Sequence, residues 1–374
     1  MGSIKLIKKA KSGKVDASLN KMLDSVEWGE FRLGDLFDSS NGNFDIKKEH
    51  INDCGDYVIT AGLTNNGILG KTDISAKIFN KNTITIDMFG YAFYRQFKYK
   101  MVTHARVFSL KSKFDITEKQ CLFLANSFHF LNKKFGYENM CSWIKIKGER
   151  IKLPIKDNKI DFNFMEDFIT KLENEKIQEL EAYLKASNLK DYHLTNEEQK
   201  VLEDFDSGKV KWNSFNIETL FGKSTRGARL KSNDRISGTL PFVTAGETDE
   251  GISAYIGNDV YVFDKNTTTI DMFGSAKYRN YEYGADDHIS VIYTQNLPKF
   301  ASIFITSAIH KSSYTGEFHY GKNFYPKDAD RLNITLPTKN NKPNYKLMDT
   351  LISAIQKLVI KDVVLYTRKK LGTL

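Results

Sequence analysis

The chain has 374 residues, 41% of them hydrophobic and 13% aromatic, a composition that describes a folded protein and excludes a disordered one. Its formal net charge of +9 favours a polyanionic partner, nucleic acid or an anionic membrane surface. No run approaches the roughly 20 apolar residues of a membrane span and no apolar secretory core opens the chain. The three cysteines, Cys54, Cys121 and Cys141, form no close pair, which fits a cytoplasmic, reducing setting with neither a disulfide framework nor a zinc knuckle.

Five lysines (Lys5, Lys8, Lys9, Lys11 and Lys14) crowd the first fourteen residues and read as a solvated tail or a phosphate-contacting arm. VEWGEFRLGDLF (26–37) follows, with Trp28 expected as a core anchor because large aromatics bury well. Short apolar runs broken by Gly, Asn and Asp come next, as in YVITAGLTNNGILG (57–70), and read as strands. NTITIDMFGYAFYR (82–95) continues the strand pattern and then turns at Phe-Gly. RIKLPIKDNKIDF (150–162) is extended, with Pro154 expected to end it. Phe164, Phe168, Leu172, Leu180 and Leu184 then recur at helical spacing, predicting an amphipathic helix over 162–185.

In the connecting stretch 186–209, Thr195 precedes Glu198 by three residues, a capping box opening a short helix that Gly208 stops. From there the chain repeats itself. VKWNSFNIETLF (210–221) matches the first opening, with Trp212 in the place of Trp28. NTTTIDMFGSAKYR (266–279) matches residues 82–95 at eleven of fourteen positions. The shift from Asp87 to Asp271 is 184 residues, and Trp28 to Trp212 gives the same shift. A second exit, LNITLPTKNNKPNY (332–345), is extended as well, with Pro337 expected to end it. Leu347, Leu351, Ile355, Leu358, Val359 and Val363 then predict a helix over 345–370. A period near half the chain means two copies of one domain. The two helices are expected either to pack each on its own domain or, as preferred, to pair with each other as an antiparallel, coiled-coil-like spacer. The expected fold class is mixed α/β (α+β), two tandem globules of internal pseudo-twofold symmetry.

Chemistry is conspicuous by what is missing. The six prolines include no adjacent pair, so no [NDS]PP[YF] loop for a flipped base is present, nor is a glycine-rich phosphate loop ending in Gly-Lys-Ser/Thr. Glu198-Gln199-Lys200 reads as a solvated charged helix rather than a nuclease E-x-K. The seven histidines show no HExxH and no Cys/His metal spacing, so no metal is expected. Asp286-Asp287-His288 has Val102-Thr103-His104 as its counterpart, so its acids do not recur.

Basic and polar residues instead cluster after each IDMFG turn: Arg95, Lys98, Lys100, His104 and Arg106 in the first half, and Lys277, Arg279, Asn280 and His288 in the second. KSTRGARLKSNDR (223–235) adds Arg226, Arg229, Lys231 and Arg235, where the first half has the acidic and polar DSSNGNFDIKKEH. Arg reads guanine, Asn reads adenine, and Lys and Arg neutralise phosphate, so these form a candidate DNA-facing surface.

The W-x-x-F-x-[LI]-x-x-LF openings at Trp28 and Trp212, the P-F-V-T-A-G segment at Pro241, the turns at Gly67 and Gly251, the TIDMFG-x-A-x-YR blocks and the I-x-LP exits before long helices together resemble the specificity (S) subunits of restriction–modification systems. Both the type I subunits and the related type IIB bipartite-site subunits share this layout. The first half reads YVITAG and lacks the proline.

The resemblance implies target-recognition domains at 1–161 and 187–344, the latter with its linker, and spacer helices at 162–186 and 345–374. It implies a non-catalytic subunit that reads a bipartite, asymmetric DNA site. It further implies docking of adenine methyltransferase subunits, two of them, and of a restriction subunit in some systems. No cofactor is expected in this chain, and S-adenosylmethionine belongs to the partner. A free-standing DNA-binding regulator or decoy, and a carbohydrate- or protein-binding tandem module, stay open as alternatives.

Overall fold

The computed structural model describes residues 17–372, so the lysines between Lys5 and Lys14 lie outside the described residues. The chain divides into two compact units after Tyr183. Each is built from three small sheets wired in the same order.

In the first unit, β1 (Glu27–Arg32) pairs with β9 (Arg150–Lys156), which pairs with β10 (Lys159–Ile160). A second sheet has the order β2 (Phe37–Asn41), β8 (Phe108–Ser112), β5 (Thr83–Ile86), β6 (Ala92–Arg95). A third has the order β4 (Ile68–Thr72), β3 (Asp56–Ile59), β7 (Tyr99–Met101), with β3 and β7 parallel. In the second unit, β11 (Trp212–Asn216), β19 (Asn333–Lys339) and β20 (Lys342–Pro343) form the first sheet. Strands β12 (Thr225–Arg226), β18 (Ile289–Ile292), β15 (Thr267–Asp271) and β16 (Ala276–Arg279) form the second. Strands β14 (Ile252–Ile256), β13 (Ser237–Val243) and β17 (Gly284–Ala285) form the third, again with a parallel pair. The duplication therefore holds at the level of register: Thr83 pairs with Arg95, and Thr267 with Arg279.

The helices are α1 (Ala17–Ser25), α2 (Leu33–Leu36), α3 (Glu118–Ser127), α4 (Trp143–Ile146) and α5 (Phe162–Ala186), then α6 (Asn196–Asp206), α7 (Ile217–Phe221), α8 (Lys299–Ser313), α9 (Pro326–Arg331) and α10 (Tyr345–Lys370). Both long helices open on a cap, Asp161 Oδ1 accepting from Phe164 N (2.9 Å) and Asn344 Oδ1 from Leu347 N (3.1 Å). The first turns of α5 pack on α3 of their own unit, where Phe123 meets the rings of Phe164 and Phe168 and Lys119 donates to Thr170 Oγ1 (2.7 Å). Helix α10 packs on α8 and α6, and Asp349 Oδ1 accepts from Phe300 N (3.1 Å).

Each unit holds one apolar core under its four-stranded sheet and a smaller one under its parallel pair. Leu33, Phe37, Ile84, Leu110, Phe128 and Leu153 belong to the larger core of the first unit, and Val58, Ile59 and Tyr99 to its smaller one. The β-branched TITI and TTTID strands are buried on both faces.

The structure corrects three expectations. Trp28 and Trp212 are 41% and 44% exposed and are not core anchors. They sit on outer strands of three-stranded sheets, and the apolar anchors of these segments are the buried Leu33, Leu36 and Phe37 in one unit and Ile217 in the other. Pro154 and Pro337 do not end their strands, which run on to Lys156 and Lys339. Their carbonyls stay paired, accepting from Asp161 N and Asn344 N (2.8 Å each), so only the missing proline N–H is forgone.

Glu198 is not solvated. The capping box forms as expected, but the carboxylate is also buried against Ser353 (2.7 Å) and Lys357 (3.0 Å), tying α6 to α10. Burial acts to raise its pKa. The hydrogen bonds from Thr195 N–H, Ser353 and Lys357 outweigh that and bring it from 4.5 to about 2.

Candidate nucleic-acid interface

The conserved block of each half builds one small device. At the end of β5, Asp87 Oδ1 accepts from Phe89 N and Tyr91 N (2.9 Å each), closing the turn, while Oδ2 accepts from Gly62 N (2.8 Å). Asp271 repeats this on Phe273, Ser275 and Gly246. Glycine is required at the turn. Gly90 and Gly274 have φ of +81° and +86°, and a Cβ would lie 2.8 Å from the Leu131 carbonyl oxygen and 2.3 Å from that of Ser313.

The Thr-Ala-Gly segments thus lie against the carboxylate of the IDMFG turn, and each begins a loop. Loops 60–67 and 244–251 close at the base by Thr60 N to Gly67 O and Thr244 N to Gly251 O (2.8 Å each). At the tips, Asn65 and Asn66 (φ +49° and +52°) and Asp249 and Glu250 (φ +48° and +56°) stand in consecutive left-handed conformations, all exposed.

Three of the thirteen candidate DNA-contacting residues are enclosed, and this corrects the expectation that they face DNA. Arg95 and Arg279 are 2% and 1% exposed. Their side chains turn inward under the loop bases, where a Cβ on Gly67 or Gly251 would lie 3.6 or 3.9 Å from their Nη2 atoms. Arg95 Nε donates to Thr85 Oγ1 (2.8 Å) and Arg279 Nε to Thr269 Oγ1 (2.9 Å). Arg279 Nη1 also donates to Glu250 O (2.8 Å) and Tyr281 OH (2.9 Å). Burial pulls the Arg95 pKa down to about 10, which leaves it cationic at neutral pH. Lys100 is likewise buried, its ammonium donating to the carbonyls of Thr72 (3.1 Å) and Ile74 (2.6 Å).

The other ten are exposed or half-buried. Lys98, His104, Arg106, Arg226, Arg229, Lys231 and Asn280 are exposed; Arg235, Lys277 and His288 are partly covered. Most have local work. His104 Nδ1 lies 2.6 Å from Asp45 Oδ1, and that hydrogen bond holds the Asp45 carboxyl below its usual value. Arg235 donates to Leu230 O and Ser253 Oγ and lies over the Phe242 ring. Lys277 pairs with Glu247 (3.1 Å).

His288, Asp286 and Asp287 have donor atoms within 4.8 Å of one another, the one group of this kind among the described residues. His288 Nδ1 lies 3.3 Å from Asp287 Oδ1, a buried oxygen with no hydrogen-bond partner, and Asp286 Oδ1 accepts from Leu230 N (3.3 Å). With Ala228 N to Ala285 O (3.0 Å), this pins the strand-poor stretch 223–235 and leaves Arg226, Arg229 and Lys231 pointing to solvent. Arg226 also lines a shallow cleft of about 450 Å³ with Ser224, Thr225, Tyr325, Pro326 and Lys327. Burial pushes the Cys121 and Cys141 thiols up to about 12, so neither is a nucleophile at neutral pH. What sequence reasoning missed is the left-handed geometry of the two loops. The signal was there as Asn-Asn-Gly and Asp-Glu-Gly at one repeat position.

Comparison with known proteins gives a coherent picture. The family described as "Type I restriction modification DNA specificity domain" matches residues 25–182 and again 209–365. The specificity subunit S.BcgI of a type II restriction enzyme from Heyndrickxia coagulans is 22% identical over 351 residues, covering 91% of this chain and 97% of that protein. In fold, the chain is similar to the crystal structure of a type I restriction–modification S subunit from M. genitalium. The TM-score is 0.61 at 15% identity, with 94% of this chain and 93% of that one covered.

Proposed function

The chain belongs to the type I restriction modification DNA specificity domain family, and on that premise we propose that its two units each read one half of a split, asymmetric DNA site. It is a DNA-recognition subunit of a restriction–modification system, a non-catalytic component that works with DNA and with modification or restriction subunits. No helix among the described residues is long and apolar enough to cross a membrane.

One observation carries the split-site reading. The same three-sheet unit occurs twice with matching register, while its exposed polar segments differ, cationic at 223–235 and acidic and polar at 38–50. Equal scaffolds with unequal surfaces suit two readers of different base sequences. Arg226, Arg229 and Lys231, exposed, suit phosphate neutralisation, as does Lys98 in the first unit. Two modification subunits are the natural complement of a duplicated chain, and they would supply S-adenosylmethionine and flip the target adenine. Helices α5 and α10, of 25 and 26 residues, rise about 1.5 Å per residue and so measure about 38 Å each, close to one turn of B-DNA. They would set the gap between half-sites.

The test is methylation of a random duplex library by the chain together with its modification subunits, read by sequencing. Two short motifs at a fixed gap are expected. Four residues inserted in the middle of α5, about one helical turn, should lengthen the gap and leave both motifs unchanged. A single uninterrupted motif, or an insertion that changes the bases read, would overturn the reading.

A further inference from the structure

The loops 60–67 and 244–251 combine features that packing alone does not require. Each tip holds two consecutive non-glycine residues at positive φ; the tight β9–β10 and β19–β20 turns do the same at Asp157-Asn158 and Asn340-Asn341, but these two loops are in addition fastened by groups from outside them. The fastening groups are visible. A backbone bond closes each base, an aspartate from the neighbouring hairpin takes the Gly62 or Gly246 N–H, and a fully buried arginine lies beneath. Arg279 Nη1 holds the Glu250 carbonyl directly. Arg95 Nη2, enclosed and without a hydrogen-bond partner, is 3.6 Å from where a Cβ on Gly67 would sit. Gly67 and Gly251 are buried with φ of +72° and +81°, which lets the chain turn back over the guanidinium.

Everything that holds the loop recurs at the repeat: Thr-Ala-Gly, the closing glycine, the aspartate and the arginine. What the loop displays does not. The tips read Leu63-Thr64-Asn65-Asn66 in one unit and Glu247-Thr248-Asp249-Glu250 in the other. Three carboxylates in eight residues of a chain carrying +9 are a poor match for phosphate. They are a good match for an amino group on a base edge, since Asp and Glu accept from cytosine N4, whereas Asn pairs with adenine through N6 and N7.

We propose that loops 60–67 and 244–251 are base-reading elements of their units. Asn65 and Asn66 take an adenine edge, and Asp249 and Glu250 take the amino group of cytosine. Arg279 is a positioning residue that holds the Glu250 carbonyl of its tip, and Arg95 occupies the same place beneath the first loop. The inference rests on the split-site reading above and assigns chemistry to each half.

The experiment applies the library assay to the complete chain with its modification subunits. In one variant, residues 63–66 are replaced by the sequence of 247–250. In a second, Asn65→Gly with Asn66→Gly removes both amides while keeping a residue at ease at positive φ. In a third, Asp249→Asn with Glu250→Gln keeps shape and adds donors. The swap should rewrite at least one base of one half-site and leave the other half-site and the gap as they were, the untouched half-site reporting an intact fold. The glycine pair should lose about ten- to hundred-fold discrimination for adenine at one or two positions. The amide pair should relax or redirect a cytosine preference in the other half-site. If the wild-type complex returns a split motif and all three variants return the same one, the loops are not the readers. If the wild type returns no split motif, the split-site reading and this inference fall together.

Discussion

The two units differ most instructively at the arginine they share. In the second unit Arg279 is completed by Thr269, the Glu250 carbonyl and the hydroxyl of Tyr281. In the first, the position equivalent to Tyr281 is Phe97, and Arg95 keeps its bond to Thr85 but leaves Nη2 enclosed and unpaired. A buried donor without a partner costs about 1–3 kcal/mol, so the arginine of the first unit is held less completely than that of the second. The units differ again at Lys100, buried in the first, whose counterpart is Gly284 of β17. Their opening helices differ too: α1 is anchored by the fully buried Leu19, α6 by the carboxylate of Glu198. The scaffold is the same, but what fastens its parts is apolar in one place and ionic in another.

The largest test of this contrast removes each arginine in turn. Arg279→Ala leaves a cavity and strips partners from the buried Thr269 hydroxyl and the Glu250 carbonyl. It should destabilise the second unit by on the order of 3–5 kcal/mol. Arg95→Ala forfeits one hydrogen bond and also removes an unsatisfied donor, so it should cost less, about 1–3 kcal/mol. Urea unfolding followed unit by unit, with amide exchange in 60–67 and 244–251, measures both; equal losses would erase the distinction.

Acid should separate the opening helices. The Glu198 pKa is depressed in the folded chain, so its stabilisation is complete above its ordinary 4.5 and is lost as pH falls toward about 2. Amide exchange at pH 3 against pH 6 should therefore show α6 loosening from α10 while α1, held by Leu19, changes little. Glu198→Gln should weaken α6 by about 1–3 kcal/mol at pH 6 and abolish its pH response in this window. A response that survives the substitution would place the titrating group elsewhere.

The smallest effect repairs the first unit. Phe97→Tyr offers Arg95 the hydroxyl that Tyr281 gives Arg279, and should stabilise the first unit by about 0.5–1.5 kcal/mol. Differential unfolding of the variant and the parent chain decides it, and a loss of stability would mean that the ring of Phe97, packed on Tyr57 at 4.4 Å, has no room for the added oxygen.

Much of the architecture was legible before any coordinates. The offset from Asp87 to Asp271 announced two copies of one unit, the β-branched runs before IDMFG became β5 and β15, and Thr195 with Glu198 capped α6. These are local or self-referential signals: a repeat compares the chain with itself, and a cap or a strand is specified within a few residues. Which side chains meet solvent was decided only by the tertiary structure. Arg95, Lys100 and Arg279 read as a basic surface, yet each is enclosed. Trp28 and Trp212 read as core, yet lie on outer strands. The physical reason is that strand alternation assigns one face to water only when one face is bare. Strands β5 and β15 are covered on both sides, so their threonines are buried too, and Thr85 and Thr269 meet the arginines of the neighbouring strands there. A guanidinium's position follows from the carbonyls and hydroxyls brought to it from elsewhere in the chain, and those are fixed only when the sheets assemble.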